Sequence, residues 1–333
     1  MDFEFKTEGD LPLVSGVVAA WNEAENIDAF IKSFQKLDYQ NKELILIAGG
    51  DDDTFKKALE FESDSIIVLK QNRGDGKVFS VKKGLEKTNG SIIYLTDADC
   101  LLSTESFLSL IYPIVRNEEK LVTGQVKPFS NQFDNPLVYS NWCRRKVQTA
   151  CSESLYSHSI VGANYAAKKK ILERLIHKIP NQTIGEDHHL ALLAQSEGNE
   201  ILNVRNSFVE THFPENLKDY INQQTRWHKT WLRLNFKFKK PELKALGIGI
   251  FKSLIIATLP IFYFFIGPIA LVLCLLGILF YAVPYFDIKL KINQLNRENE
   301  LTFWGLMKLM IGDIVVHCLV IPQLLFSRTK NKW

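Results

Sequence analysis

The sequence predicts an α/β domain built around a parallel sheet, followed by apolar helices that enter a membrane. Two observations predict this fold class. Short apolar runs alternate with helical segments four times before residue 100, as in βαβ units of the nucleotide-binding kind. Residues 253–284 contain no charged side chain and form a stretch that is too long for one core helix.

The composition restricts the partners and the compartment. A net charge of +3 over 333 residues is too small to indicate nucleic-acid binding. Lys and Arg instead concentrate within residues 226–244 and near residue 330, on both sides of the most apolar part of the chain. The five cysteines lack metal-ligand spacing, and the acidic amino terminus lacks the features of a secretion signal. We therefore expect the first domain to lie in the reducing cytoplasm.

The elements of the first domain follow from apolar periodicity and from turn residues. Apolar runs predict buried strands at 13–20, 43–48, 66–69 and 92–95. Helices are predicted to open at Asn22 and to span 55–61 and 78–87, with a glycine-rich loop at 73–77. Beyond residue 100 we predict a helix at 107–115, a strand at 121–126, a loop at 127–135, a strand at 161–167 and a helix at 190–197.

Two carboxylates follow the fourth predicted strand directly. Asp97 and Asp99 are separated only by Ala98, and the carboxyl ends of strands in an open α/β sheet are where ligands bind. Carboxylate oxygens at i and i+2 can share a hard cation such as Mg2+ or Mn2+ with a substrate phosphate. An Asp-X-Asp sequence alone is also compatible with a solvated acidic turn.

The carboxyl-terminal third predicts membrane contact. Residues 220–240 place aromatic side chains and basic side chains at helical spacing, which suits either an interfacial helix or a helix packed on the domain. Residues 246–284 have room for two membrane spans with a turn near Gly267 and Pro268. Residues 303–326 carry Asp313 and His317, so this stretch is predicted as either a third span or an interfacial helix.

Six motifs occur in a fixed order along the chain. They are Asn22-Glu23, Asp51-Asp52-Asp53, Gly76-Lys77, Asp97-Ala98-Asp99, Glu186-Asp187 and Gln223-Gln224-Thr225-Arg226-Trp227. In this order, and followed by apolar segments, the motifs resemble family 2 glycosyltransferases of GT-A fold. The resemblance is to the membrane-integrated, inverting branch that includes cellulose and hyaluronan synthases, and it covers essentially the whole chain.

The resemblance implies a role for each motif. It assigns the metal, Mg2+ or Mn2+, to Asp99 and Asp97, with Asp99 as the firmer ligand. It assigns donor binding to Asn22, Glu23, Asp51, Asp53, Lys77 and Asp97. It assigns the general base to Asp187, with Glu186 as the neighbour that could take that role. Stabilisation of a helix amino terminus is the competing interpretation of these two acids.

The remaining assignments concern the acceptor. The resemblance places Gln223, Arg226 and Trp227 over the donor diphosphate and the acceptor, where Arg226 can bind phosphate and Trp227 can face a sugar ring. An interfacial Trp–Arg pair that anchors the helix to lipid headgroups is the alternative. The acceptor-side strand of the family matches Gly162 and Asn164, and the resemblance implies that Asn164 contacts sugar hydroxyls there. A close approach of the backbone is the alternative. The sequence departs from the family after the second strand, where Gly49-Gly50 occupies the place of an acidic residue that reads the nucleotide base. Either Asp51 or Asp53 takes that role, or the backbone with Asn22, Glu23 and Lys77 does, and UDP is favoured over GDP.

These expectations combine into one hypothesis with two alternatives. We predict a multi-pass protein of the cell membrane that has a cytosolic GT-A domain and moves a sugar from a UDP-sugar to a lipid-linked or growing glycan. Transfer to polyprenyl phosphate and a catalytically silent, nucleotide-sugar-binding subunit are the alternatives. The predicted segments are the GT-A domain at 1–222, an interfacial helix at 223–244, a transmembrane hairpin at 245–286, a polar loop at 287–302, a third transmembrane or interfacial helix at 303–326 and a basic tail at 327–333.

Overall fold

The computed structural model describes residues 11–150, 154–238, 243–258, 261, 267–295 and 302–326. These residues form two compact units. The first contains the described residues up to Lys127 together with 154–212, and the second contains 128–150 together with those from Phe213 onward. The segment predicted as one domain at 1–222 is therefore divided between the units. The predicted basic tail at 327–333 lies outside the described residues.

The first unit is built on a seven-stranded mixed sheet with the order β3-β2-β1-β4-β6-β5-β7. The strands are β1 Val14–Trp21, β2 Lys42–Gly49, β3 Ile66–Lys70, β4 Ile92–Leu95, β5 Leu121–Pro128, β6 Tyr165–Lys168 and β7 Leu202–Thr211. Strands β3, β2, β1 and β4 are parallel, as the sequence predicted. Strand β6 is antiparallel to both β4 and β5, so the expectation of a parallel sheet holds only for the first half of this unit.

Helices occur in both units and are numbered in chain order. They are α1 Ile27–Gln35, α2 Thr54–Leu59, α3 Gly76–Leu85, α4 Thr104–Val115, α5 Pro136–Ala150, α6 Lys169–Ile176, α7 Glu186–Ser196, α8 Leu217–Phe238, α9 Leu243–Thr258, α10 Pro268–Leu295 and α11 Phe303–Phe326. The first unit contains α1 to α4, α6 and α7.

Both faces of the sheet carry an apolar core. Alternate residues of β1, β2 and β4 pack on one face against α1, α2 and α4, where Phe30, Phe34 and Phe107 are buried. The other residues of the same strands pack against α3, α6 and α7. Because both faces are covered, the strands carry continuous apolar runs, and this is why they could be recognised from the sequence.

Three elements lie outside the sequence prediction. Strand β7 contains polar residues such as Asn203 and Arg205, which interrupt the alternation expected of a half-buried strand. Helices α5 and α6 were also not predicted. The turn at 162–164, which was expected inside a strand, precedes β6 instead. The backbone N–H of Asn164 donates to the carbonyl of Val161 within this turn.

The second unit is helical and contains a buried ionic network. Asp313 of α11 accepts hydrogen bonds from Arg144 Nη1 at 2.7 Å and from the hydroxyls of Tyr220 and Tyr285, both at 2.5 Å. Arg144 also donates to Tyr220 and to the side chain of Asn141. The network joins four helices, α5, α8, α10 and α11, and it satisfies a carboxylate within a largely apolar helix.

Replacement of Arg144 by leucine is expected to lower the free energy of unfolding by about 3 kcal/mol, because it leaves the Asp313 carboxylate without its cation. The two side chains are only 17% and 13% exposed, so water cannot replace the lost partner fully. Thermal unfolding of the detergent-purified protein measures the effect. The double variant Arg144→Leu with Asp313→Leu is the control and should recover most of the stability, whereas an additive loss would contradict the prediction.

Two helices among the described residues are long and apolar enough to cross a membrane, over Pro268–Ile292 and Phe303–Val320. Helix α9 has 16 residues, fewer than the approximately 20 that a span needs. Ile256 of α9 packs in one cluster with Tyr281 of α10, and α10 begins at Pro268 after Gly267 with φ +60°. The transmembrane hairpin at 245–286 remains a prediction. Helix α10 continues to Leu295, so the start of the predicted polar loop is helical.

Candidate active site

The motif residues of the first unit come together at one edge of its sheet. The register pairs Trp21 of β1 with Gly49 of β2, and Val17 of β1 with Leu95 of β4. The residues that follow these parallel strands therefore share an edge, and they carry Glu23, Asp51 to Asp53, Asp97 and Asp99. Because β6 is antiparallel and pairs Tyr165 with Leu95, the turn that precedes β6 lies at the same edge.

Lys77 connects two of the predicted motifs. It lies in the first turn of α3, and its Nζ is 2.6 Å from Asp97 Oδ1 and 2.9 Å from Glu186 Oε1. Burial disfavours its charge, but the carboxylates of Asp97 and Glu186 outweigh burial and raise the pKa of Lys77 well above its usual value. A permanently charged ammonium group therefore links the Asp-X-Asp motif to the amino terminus of α7.

Asp187 has the electrostatic environment of a general base. It follows Glu186 in the first turn of α7, a helix that begins after Gly185 with φ +74°. Burial, together with the negative charge of Glu186, raises the pKa of Asp187 from 3.8 to about 6, while Lys77 acts in the opposite direction. The carboxylate also accepts a 2.7 Å hydrogen bond from the backbone N–H of His188. A carboxyl group with this pKa can accept a proton near neutral pH.

Gly162 provides the space that Asp187 occupies. A Cβ added at residue 162 would lie 2.9 Å from Asp187 Oδ2 and 3.3 Å from its Cβ. A side chain at this position would therefore displace the carboxylate. The structure brings Gly162 and Asp187 together, although they are distant in the sequence.

Asp97, Asp99 and Glu23 form a crowded set of carboxylates. Burial, together with the charge of Asp97, raises the pKa of Asp99. Burial also raises the pKa of Glu23, and the charges of Asp99 and Asp97 add to this effect against a hydrogen bond from Asn26. A divalent cation bound there would relieve this repulsion.

The donor set fits a metal that is shared with a substrate. Among the residues that the structure describes, no group of three or more His, Cys, Asp or Glu side chains could enclose an ion. Mg2+ commonly uses one or two protein carboxylates and takes its other ligands from water and substrate phosphates. Asp99 and Asp97 would hold such an ion, which would supply charge stabilisation for a leaving diphosphate.

The turn after β2 is organised by side chains from two motifs. Asn22, with φ +59°, accepts a 2.7 Å hydrogen bond at Oδ1 from the backbone N–H of Asp51. The Asp51 carboxylate is exposed and lies 3.2 Å from Arg73, a pair of the kind that contributes little stability. Asp53 is exposed and precedes α2 without a side-chain capping bond. The backbone of this turn is thus fixed, while the Asp51 and Asp53 carboxylates face solvent.

Asn164 does not fit the predicted contact with sugar hydroxyls. Its side chain is only 1% exposed, and its Nδ2 donates to the carbonyl of Gln125 and to both oxygens of Ser207. The amide therefore joins the β6 turn to β5 and β7. Its physical role here is to satisfy buried backbone, which the residue type alone does not reveal.

The Gln-X-X-Arg-Trp motif belongs to the second unit and lies within α8. Gln223 accepts a 3.3 Å hydrogen bond from Gln224, and Arg226 is exposed. Trp227 is 40% exposed, and the guanidinium of Arg145 lies over its ring. The motif thus presents one cation and one aromatic ring at the surface of its unit.

The comparison with known families decides the classification. A family model described as "Glycosyltransferase like family 2" matches residues 12–230, which is more than half of the chain. The chain belongs to glycosyltransferase family 2. The matched range contains all six motifs, which supports the resemblance at the level of the family. The cellulose and hyaluronan synthase branch remains a prediction.

Two curated relatives share about a quarter of their aligned residues with this chain. The chain is 24% identical over 288 residues to the probable glycosyltransferase YdaM of Bacillus subtilis (strain 168), covering 78% of this chain and 65% of the relative. It is 25% identical over 253 residues to an N-acetylglucosaminyltransferase of Rhizobium meliloti (strain 1021), covering 68% of this chain and 57% of the relative. The chain therefore spans less than two thirds of the length of these relatives.

A solved structure supports the GT-A fold. The mannosyltransferase PcManGT from Pyrobaculum calidifontis, solved in complex with GDP-Man and Mn2+, is similar with a TM-score of 0.61 and 17% sequence identity. The similarity covers 98% of this chain and 90% of that protein. At this identity the likeness concerns the fold, which is the GT-A fold predicted from the motifs.

Two residues, Asp52 and Arg145, have a structural role that the sequence did not indicate. Asp52 accepts hydrogen bonds from the backbone N–H groups of Ala24 and Thr54, so it joins the first two motifs. The sequence alone does not show which of the three consecutive aspartates, Asp51, Asp52 or Asp53, forms these hydrogen bonds. Arg145 lies in α5, a helix without a sequence pattern that could have indicated it.

Proposed function

We propose that this chain transfers a sugar, with inversion at the anomeric carbon, from a nucleotide-diphosphate sugar to a lipid-linked or growing glycan. The donor is proposed to be UDP-linked. The observation that carries the proposal is the ionic chain from Asp97 through Lys77 to Glu186, which ends beside an Asp187 carboxyl with a pKa of about 6. This arrangement supplies a cation-binding carboxylate pair and a proton acceptor at one edge of the sheet.

The proposed reaction is a single displacement. The acceptor hydroxyl oxygen attacks the anomeric carbon, and the bond from that carbon to the phosphate oxygen breaks. The hydroxyl proton goes to Asp187, and the nucleoside diphosphate leaves with the electron pair of the broken bond. Lys77 bridges the carboxylates of Asp97 and Glu186, and the base next to Glu186 would therefore keep a fixed position relative to the donor site.

Other residues are proposed to bind the donor and the acceptor. Asn22 and the fixed turn after β2 would bind the nucleoside, with the exposed Asp51 and Asp53 near its base. Arg226 would provide paired N–H donors for phosphate. Gln223 and Trp227 would act on the acceptor side, with the Trp227 ring against a sugar.

Membrane attachment is proposed through the apolar helices. Helix α10 exposes a series of large apolar side chains to solvent, among them Ile269, Leu275 and Leu279, which are 61–62% exposed. Exposed apolar surface of this kind marks a site of membrane or protein contact. With α10 in the bilayer, a lipid-linked acceptor would reach the protein at the bilayer surface.

The test is nucleotide release from a panel of UDP-sugars and GDP-sugars, measured on detergent-purified protein with and without membrane lipid extract. GDP-sugars are included because the similar mannosyltransferase was solved with GDP-Man. Turnover of one donor that requires the extract supports the proposal, and a polyprenyl phosphate that replaces the extract favours the alternative acceptor. Donor binding without turnover under any condition would contradict the proposal and favour a silent subunit. Asp64→Asn is the control, because Asp64 is exposed and precedes β3, whose first residue pairs with Leu44 near the start of β2, at the edge of the sheet opposite to the motifs.

The pH dependence of kcat/KM is expected to show an acid limb near pH 6. The base must be deprotonated to act, and burial and Glu186 raise the pKa of Asp187 to about 6, so activity falls as pH drops through that value. Lys77→Met removes the positive charge that opposes this shift, so the limb should move to higher pH. The matched variant Lys83→Met changes a lysine on the same helix that contacts a backbone carbonyl. A limb that stays in place in Lys77→Met would contradict the assignment.

A further inference from the structure

The Arg145 guanidinium lies between two aromatic rings of the second unit. Its Cζ is 5.1 Å from the centroid of the Trp227 ring and 5.3 Å from that of the Phe213 ring. Both distances are within the approximately 6 Å over which a cation is attracted to an aromatic face, and Trp is the strongest partner. Arg145 comes from α5, whereas Trp227 comes from α8.

The charge of Arg145 has no acidic partner among the described residues. Its neighbour Arg144 has one, since it forms the ion pair with Asp313. Among the described residues no hydrogen bond or ion pair joins Arg145 to a partner, whereas two aromatic rings lie within cation–π distance of its guanidinium. Burial, together with the charge of Arg144, lowers the pKa of Arg145 to about 10, so the guanidinium remains charged at neutral pH. Its position is therefore explained by the aromatic contacts.

The helix that carries Arg145 is itself held in place. Arg144 ties α5 to Asp313 of α11 and to Tyr220 of α8, seven residues before Trp227. The adjacent Arg145 is therefore presented to α8 from a fixed backbone. Trp227 is 40% exposed, so packing covers only part of its ring, and a planar cation stacked on one face can fix the orientation of the ring.

We propose that Arg145 is a positioning residue for Trp227, which holds the indole ring in the orientation that the acceptor sugar requires. The inference rests on the proposed function, in which Trp227 faces the acceptor. Arg145 stabilises one orientation of the ring from one side and leaves the exposed part of the ring for the sugar. Lysine lacks the planar group that stacks on an indole, so it should substitute only partly.

The kinetic test compares Arg145→Gln, Arg145→Lys and Trp227→Ala with the double variant Arg145→Gln/Trp227→Ala. We expect Arg145→Gln to lower kcat about 10- to 100-fold, because a misplaced Trp227 ring would no longer orient the acceptor. The KM of the donor should change little. Arg145→Lys should recover part of this loss. In the Trp227→Ala background, Arg145→Gln should cause no further loss. Independent, multiplicative losses would overturn the proposal, and so would a raised donor KM that persists without Trp227.

A second measurement separates this inference from the proposed function. Protein labelled with 5-fluorotryptophan gives a 19F resonance for Trp227, assigned by Trp227→Phe. Arg145→Gln should shift or broaden that resonance, whereas the matched control Lys146→Gln should not, because Lys146 lies over the ring of Trp142 at 5.0 Å. An unchanged Trp227 resonance in folded Arg145→Gln protein would overturn the inference whether or not any donor is turned over. Thermal unfolding of each variant tests whether that variant is folded. If Arg145→Gln does not fold, the milder variant Arg145→Lys takes its place in the 19F measurement.

Discussion

Asp187→Asn is expected to reduce sugar transfer by about 10²- to 10⁴-fold, the usual contribution of a positioned general base, while donor binding remains close to that of the wild type. The amide keeps the size of the carboxylate but cannot accept the hydroxyl proton. Asp187 differs from an ordinary surface aspartate because burial and the charge of Glu186 raise its pKa to about 6. Single-turnover transfer and equilibrium binding of the donor, measured on the same preparation, separate the two effects.

Two further variants test whether the loss is specific to the carboxylate of Asp187. Glu105→Gln changes an exposed acid in the first turn of α4, and it should leave transfer unchanged. This control represents a simple helix-dipole role, which contributes under about 1 kcal/mol. Glu186→Gln should reduce transfer less than Asp187→Asn, because Glu186 pairs with Lys77 and acts on Asp187 through its charge. If Glu186→Gln abolished transfer and Asp187→Asn did not, the base would be Glu186.

Asp99→Asn is the second variant expected to have a large effect, with a loss of about 10²- to 10³-fold in kcat/KM at a fixed metal concentration. Negative charge grows on the leaving diphosphate, and a cation held by Asp99 and Asp97 would stabilise it. Removal of metal with a chelator should abolish turnover of the wild-type protein. The variant should also need a higher concentration of Mn2+ to reach half of its own maximal rate.

Calorimetric titration of Mn2+ in the presence of the nucleoside diphosphate measures the same site without turnover. Asp99→Asn should weaken this titration, and the exposed control Asp64→Asn should not. Undiminished activity of the wild-type protein in excess chelator would contradict the metal assignment. In that case the raised pKa of Asp99 would reflect its burial and the charge of Asp97, without a cation site between the two carboxylates.

Much of the first unit could be predicted because its information is local. The apolar positions of α1, Ile27, Phe30, Ile31 and Phe34, are all buried as their helical spacing indicates. The run from Ile92 to Leu95 is fully buried because it is covered on both faces, and Asp97 and Asp99 follow it at the predicted edge. Where the pattern was weak, as in β7 and α5, the elements were missed because their side chains serve contacts that are distant in the chain.

In the candidate site, too, local features could be predicted and contacts between distant residues could not. Asn164 was predicted to contact a sugar, but its amide is used by Gln125 and Ser207, which lie 39 and 43 residues away in the sequence. Lys77 was predicted only as a donor-binding residue, whereas it also binds Glu186. Residue type and spacing indicate what a side chain can bind. They do not indicate which partners long-range packing will supply.

By itself, the sequence determined the parallel strands, the acids that follow them, the order of the motifs and the apolar helices. These features depend on periodicity and on the chemistry of neighbouring residues. The tertiary structure decided that β6 runs antiparallel, which places Gly162 against Asp187. It also decided that Arg144 neutralises Asp313 while Arg145 stacks on Trp227. The physical reason is that adjacent arginines are equivalent in a sequence, and only the packing of four helices gives one of them a carboxylate and the other an aromatic ring.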